Sequence, residues 1–141
     1  MIQIISGVKG SGKTKRLLDQ TNDALKVEHG DIVFIDDDKR YMYDHRHEIR
    51  FVDASAYPVA RGCSPDAFLA FISGMLAVNY DITLISIDAF LKLVHIDDPA
   101  ELSPFFAALD KLSQEHNCNF MVSVSMEIEK LPGDVLAYVQ K

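Results

Sequence analysis

The sequence predicts an α/β fold, a three-layer α/β/α sandwich around a mostly parallel five-stranded sheet, on three observations. Five short runs rich in β-branched or aromatic residues alternate with stretches whose apolar spacing is three to four. One run, 82–87, is nearly unbroken in apolarity and suits a strand covered on both faces. The connections between most runs are long enough for the helical crossovers that parallel strands require.

The strands are expected at 2–6, 32–36, 49–53, 82–88 and 119–125. A first helix is expected at 13–29, with Leu17, Leu18 and Leu25 on one side and Gly30 as its stop. A second spans 65–79, with Ser64 as N-cap, Pro65 at the first helical position and a stripe of Phe68, Ile72, Met75 and Leu76. The third has two candidate starts, the capping box Asp98-Pro99-Ala100-Glu101 and the cap Ser103-Pro104, before Phe105, Leu109 and Leu112. Apolar residues at 131, 135 and 138 favour a short C-terminal helix over a strand, and 37–48 reads as a surface loop. The order β-α-β-β-α-β-α-β carries no internal repeat or linker, so residues 1–141 are expected to form one domain.

The chain has 141 residues, 48% of them hydrophobic, which is enough to build a core. Its net charge of −7 makes it a poor general binder of nucleic acid or anionic membranes. No apolar stretch approaches the roughly 20 residues of a membrane span. Residues 1–5 are too short for a secretory signal. Cys63 and Cys118 form no C-x-x-C pair, so a cytoplasmic protein with two free thiols is expected.

The chemistry is carried by Gly7-Val8-Lys9-Gly10-Ser11-Gly12-Lys13-Thr14, which fits G-x-x-x-x-G-K-[ST], the Walker A pattern, between a strand and a helix. Glycines let the backbone turn around an anion with successive N–H groups pointing inward. The helix that follows adds its unsatisfied amides and positive dipole end. In that setting Lys13 bridges β- and γ-phosphates, and the Thr14 hydroxyl ligates Mg²⁺. Lys9, Lys13, Lys15 and Arg16 make a local basic patch in an acidic chain. Lys15 and Arg16 read as solvated or packed on the sheet, while Lys9 is open between phosphate and solvent.

With this motif the chain resembles the P-loop NTPase superfamily over its whole length. The resemblance implies that the apolar run Thr83-Leu84-Ile85-Ser86-Ile87-Asp88 ends in the carboxylate that holds the Mg²⁺ hydration shell, and that Lys13 and Asp88 are the catalytic pair. The spacing resembles the branch of RecA-like ATPases and thymidine kinases. That branch implies another strand between the loop-bearing strand and the Asp88 strand, here 119–125, with Ser123 or Ser125 near the γ-phosphate. Simple strand termination is the simpler reading of these serines. Residues 34–41 also resemble the segment after the second strand of thymidine kinases.

Two departures bear on activity. Relatives in this branch carry a glutamate directly after the aspartate, whereas this chain has Ala89, which neither accepts a proton nor orients water. The cysteine pairs of the thymidine-kinase zinc lid are missing. With no N-K-x-D base-reading motif, ATP is the nucleotide implied by analogy. The sequence is similar to small stand-alone bacterial P-loop proteins, some named after twitching-motility ATPases, whose extra N-terminal domain has no counterpart here.

Other acids and bases have blander readings. Asp98 and Glu101, near Asp97, are explained by the cap and Glu127 by the surface. Asp36, Asp37 and Asp38 end the second strand, either near the nucleotide at the sheet's C-terminal edge or, more simply, in a solvated acidic turn. His45 and His47 lack a third metal ligand. Arg40, Arg46, Arg50 and Arg61 are candidate arginine fingers supplied to a neighbouring subunit, each more simply a surface charge. Phe68, Phe71, Phe105 and Phe106 read as core or interface aromatics.

The expectation is therefore an ATP/Mg²⁺-binding protein, either a hydrolase with weak or partner-stimulated ATP turnover or a non-hydrolysing regulatory module. A small-molecule kinase stands third. A protein partner or homo-oligomer is expected to complete its function.

Overall fold

Residues 1–44, 46–59 and 62–140 are described by the computed structural model. Five strands, β1 (Ile2–Ser6), β2 (Asp31–Asp36), β3 (Ile49–Asp53), β4 (Ile82–Ile87) and β5 (Asn119–Val124), form one sheet in the order β1-β5-β4-β2-β3. All four pairings are parallel, so the sheet is wholly and not merely mostly parallel. Strand β5 lies between β1 and β4, the arrangement that the resemblance implied.

Among the described residues five α-helices accompany the sheet: α1 (Lys13–Ala24), α2 (Pro65–Val78), α3 (Phe90–Leu93), α4 (Leu102–His116) and α5 (Gly133–Leu136). The period of two along the strands divides the interior. Ile5, Ile32, Phe34, Leu84 and Met121 point to one face and pack on Leu17 and Leu18 of α1. Ile4, Val33, Ile35, Ile85, Ile87, Phe120 and Val122 point to the other and pack on α2 to α5. Four phenylalanines knit that second layer, with Phe90 and Phe105 ring centroids 4.8 Å apart and Phe68 edge-on to Phe90 at 6.2 Å. Phe68, Phe105 and Phe106 are thus core residues, and Phe71 is only half-buried.

Several boundaries differ from the sequence reading. Helix α1 stops at Ala24, not at residue 29, because its ladder tightens to i→i+3 bonds, with Leu25 N–H donating to Asn22 O and Lys26 N–H to Asp23 O. Gly30 is not its stop. A Cβ there would lie 2.1 Å from Asp81 O, so the small residue serves the approach of β2 to the start of β4. Helix α2 keeps its cap, the Ser64 hydroxyl accepting from Ala67 N–H at 3.1 Å, but Met75 is only half-buried.

Of the two starts for the third helix, Asp98 wins. Its carboxylate accepts from Ala100 N–H, and Glu101 reaches back to Asp98 N–H at 2.8 Å, capping a 3₁₀ turn that runs into α4. Ser103 instead donates to Asp134 at 2.8 Å. The C-terminal segment is helical for four residues only. Ile4 N–H donates to Tyr138 O and Gln140 N–H to Ile4 O, so the tail leaves the helix and lies along the β1 edge. None of the helices among the described residues is long and apolar enough to cross a membrane.

Candidate functional site

The loop 7–14 joins the end of β1 to the start of α1 at the sheet edge where the parallel strands present their C-terminal ends. Gly12 occupies the N-cap of α1 with φ 86°, a left-handed conformation that favours glycine. A Cβ at Gly7 would lie 2.7 Å from Ser11 Oγ, a contact that rotation of the serine hydroxyl can relieve. Among the described residues no side chain caps α1, and no acid stands in its first turn. The helix therefore points unsatisfied amides and its positive end into the cleft beyond.

Lys13 is 7% exposed, and its Nζ donates to Val8 O at 2.9 Å across the loop. Desolvation lowers its pKa, and the nearby Asp88 charge works in the opposite direction. Asp88 follows the last residue of β4, anchored by its N–H donating to Ile35 O on β2. Thr14 Oγ1 donates to Asp88 Oδ2 at 3.0 Å, bringing the loop and the strand end together as the sequence pattern implied.

Ser123 completes this cluster. Its hydroxyl donates to Asp88 Oδ1 at 2.6 Å and accepts from Ala89 N–H at 2.9 Å. Simple strand termination is therefore corrected for Ser123. The register pairs Ile87 with Val122, which sets Ser123 beside Asp88, and neighbouring strands had to be known before that signal had meaning. Ala89 sits at φ 54°, a left-handed conformation uncommon for a residue with a Cβ. Its N–H bond to Ser123 fixes the turn that leads into α3. Ser125 is exposed and lines the cleft without entering this network.

The cleft encloses about 610 Å³. Lys9, Lys15, Arg40 and Lys92 line it beside Lys13 and Thr14, while Asp36, Asp37 and Asp88 form its acidic side. Asp36 and Asp37 are 1% and 2% exposed, so the reading of a solvated acidic turn is overturned. Parallel pairing of β2 with β4 draws their ends against the cleft floor. Burial, contact with the Asp37 carboxyl and the Asp88 charge push Asp36 up to about 8.

The remaining candidates separate clearly. Arg40 lines the same chain's cleft, pairs with Asp38 at 2.9 Å and lies 5.6 Å from the Tyr41 ring centroid. Arg46 and Arg50 do not line this cleft and are exposed. Lys15 pairs with Asp19 at the surface, and Glu127 is exposed. Asp97 lies 2.6 Å from His95, away from the cleft lining. His47 faces Glu48 at 3.2 Å. His45 and Arg61 lie outside the described residues.

The two walls can perform complementary tasks. Backbone amides and Lys13 suit an anion, while the Thr14 and Asp88 oxygens are hard donors of the kind that divalent cations take. No protein-family model matches the chain, and no curated protein sequence matches it either.

Proposed function

We propose that the chain is a P-loop protein that binds ATP with Mg²⁺ in the cleft between the loop 7–14 and Asp88. The observation that carries this reading is the convergence of Lys13, Thr14 and Asp88 at an uncapped helix N-terminus. The amides of residues 7–14, from Gly7, Val8, Lys9, Gly10, Ser11 and Gly12 onward, cradle the phosphates. On binding, Lys13 Nζ exchanges Val8 O for phosphate oxygens. Thr14 would offer its hydroxyl oxygen to Mg²⁺ and Asp88 would hold the ion's hydration shell, the two side chains lying 3.0 Å apart. The bound ion would neutralise charge on the transferring phosphoryl group.

Hydrolysis on this reading is slow. Position 89, which follows the metal-side aspartate, has no side chain able to take a proton from water. Positioning and electrostatics still supply much of phosphoryl-transfer catalysis, so weak turnover, raised by a partner or a second copy, is the first reading. Ala89 favours the second, a module whose nucleotide occupancy biases partner contacts.

Equilibrium binding and phosphate release, measured on one preparation with Lys13→Ala beside it, test both readings. Binding of Mg²⁺–ATP below millimolar concentration that Lys13→Ala abolishes is expected. No binding of ATP or ADP sinks the proposal. Phosphate release lost in Lys13→Ala selects the ATPase, and binding without release selects the module.

A further inference from the structure

Most of the cations that line the cleft are already engaged. Lys13 Nζ donates to Val8 O at 2.9 Å, Lys15 pairs with Asp19 at 2.8 Å, and Arg40 pairs with Asp38 at 2.9 Å. The ammonium groups of Lys9 and Lys92 have no hydrogen bond or ion pair among the described residues. Lys9 belongs to the loop 7–14 itself. Lys92 lines the cleft from a different element, the helix α3 that follows Asp88.

The backbone of Lys92 is held firmly although its side chain is exposed. Ser123 bonds both Asp88 and the Ala89 N–H, and this fixes the left-handed turn from which α3 starts. Phe90 and Leu93 are fully buried, in the layer that also holds Phe105, which leaves Leu91 and Lys92 to line the cleft. Lys92 N–H donates to Ala89 O at 2.9 Å, and Lys92 O accepts from Gly62 N–H at 3.2 Å. A long side chain on a fixed backbone has only its own rotamers to order when it meets an anion.

Ala89 bears on this lysine as well. It stands three residues before Lys92, the spacing at which side chains on one helical turn meet. An acid at 89 would pair with the ammonium, whereas a methyl group leaves that charge for a ligand.

We propose that Lys92 Nζ binds the terminal phosphoryl group of a nucleotide held by the same chain, and so makes the cleft prefer a triphosphate to a diphosphate. The proposal rests on the nucleotide reading above. An ion bridging the β- and γ-phosphates at Thr14 and Asp88 brings the terminal phosphoryl group to the end of β4, where α3 begins two residues beyond Asp88. A hydrogen bond from an ammonium to a phosphate oxygen is charge-assisted, and a diphosphate has no third phosphoryl group to receive it.

Isothermal titration calorimetry of the full chain tests this, with Mg²⁺ and either ADP or the non-hydrolysable adenosine 5′-(β,γ-imido)triphosphate. The parent should bind the triphosphate analogue more tightly. Lys92→Ala and Lys92→Gln should each weaken the analogue at least about tenfold and ADP less than about twofold, while Lys92→Arg keeps most of the preference. The ADP affinity doubles as a check that each variant is folded.

Equal weakening of both nucleotides in Lys92→Gln overturns the proposal, as does a preference that survives in Lys92→Gln or one that the parent lacks. In each of these cases nucleotide still binds, so the nucleotide reading stands. A parent that binds neither ligand sinks that reading and this proposal with it.

Discussion

Asp36 ends β2 with its carboxyl out of water, and its proton is consequently held up to about pH 8. An unfolded aspartate releases that proton near pH 4. Between those values the folded chain binds the proton and the unfolded chain does not, so this residue's stabilising contribution is present at low pH and lost as pH rises through 8. Asp36→Asn removes the titration and supplies an amide that can donate to the Asp37 carboxyl. In chelator and without nucleotide, the variant should be more stable than the parent at pH 8.5 by about 1–3 kcal/mol, with the gap closing towards pH 5. Urea denaturation at both pH values measures this, and parallel profiles would refute it. Ser123 was offered by the resemblance beside the simpler reading of strand termination, and Asp36 was read as part of a solvated turn. The role of each depends on the residue that the neighbouring strand places beside it.

At the level of elements, local chemistry was read well where it is self-contained. The Ser64 cap and the Asp98–Glu101 box both form, because each closes within a few residues. Helix ends that depend on distant packing were read less well. Gly30 looked like the stop of the first helix, yet it serves contact with Asp81 and Thr83 of a strand far along the chain. Gly30→Ala should therefore cost about 1–3 kcal/mol or more, since backbone oxygen must move to admit the methyl group. Gly74→Ala, in the exposed interior of α2 with nothing within 4 Å of the added Cβ, should instead stabilise by about 0.5–1 kcal/mol. Paired urea denaturation curves decide it, and equal effects of the two substitutions would contradict the packing argument.

Over the whole molecule, the parallel sheet gathers every strand's C-terminal end on one edge, where ligands of open α/β sheets bind. The loop after β1, Asp88 after β4, Ser123 on β5 and Asp36 on β2 meet there although they are spread over most of the chain. If that edge takes Mg²⁺–ATP as proposed, ligand at about 100 times its Kd should add about 2.7 kcal/mol to stability and raise the midpoint of thermal denaturation by roughly 5–10 °C. Lys13→Ala should lose the shift, and differential scanning calorimetry with and without nucleotide reads it directly.

By itself the sequence determined the α/β class, the five strands, the Ser64 helix cap and the glycine-rich loop. These depend on period, spacing and backbone freedom, which act over a few residues. It also marked Lys13 and Thr14 by residue type and spacing, and Asp88 only through the family resemblance that this pattern raised. Only the tertiary structure decided that the sheet is wholly parallel, that Ser123 holds Asp88, and that Asp36 and Asp37 are buried against the same cleft. Strand order and register set those neighbours, and an acid's charge state follows from the water and donors it has lost, neither of which is a property of its place in the chain.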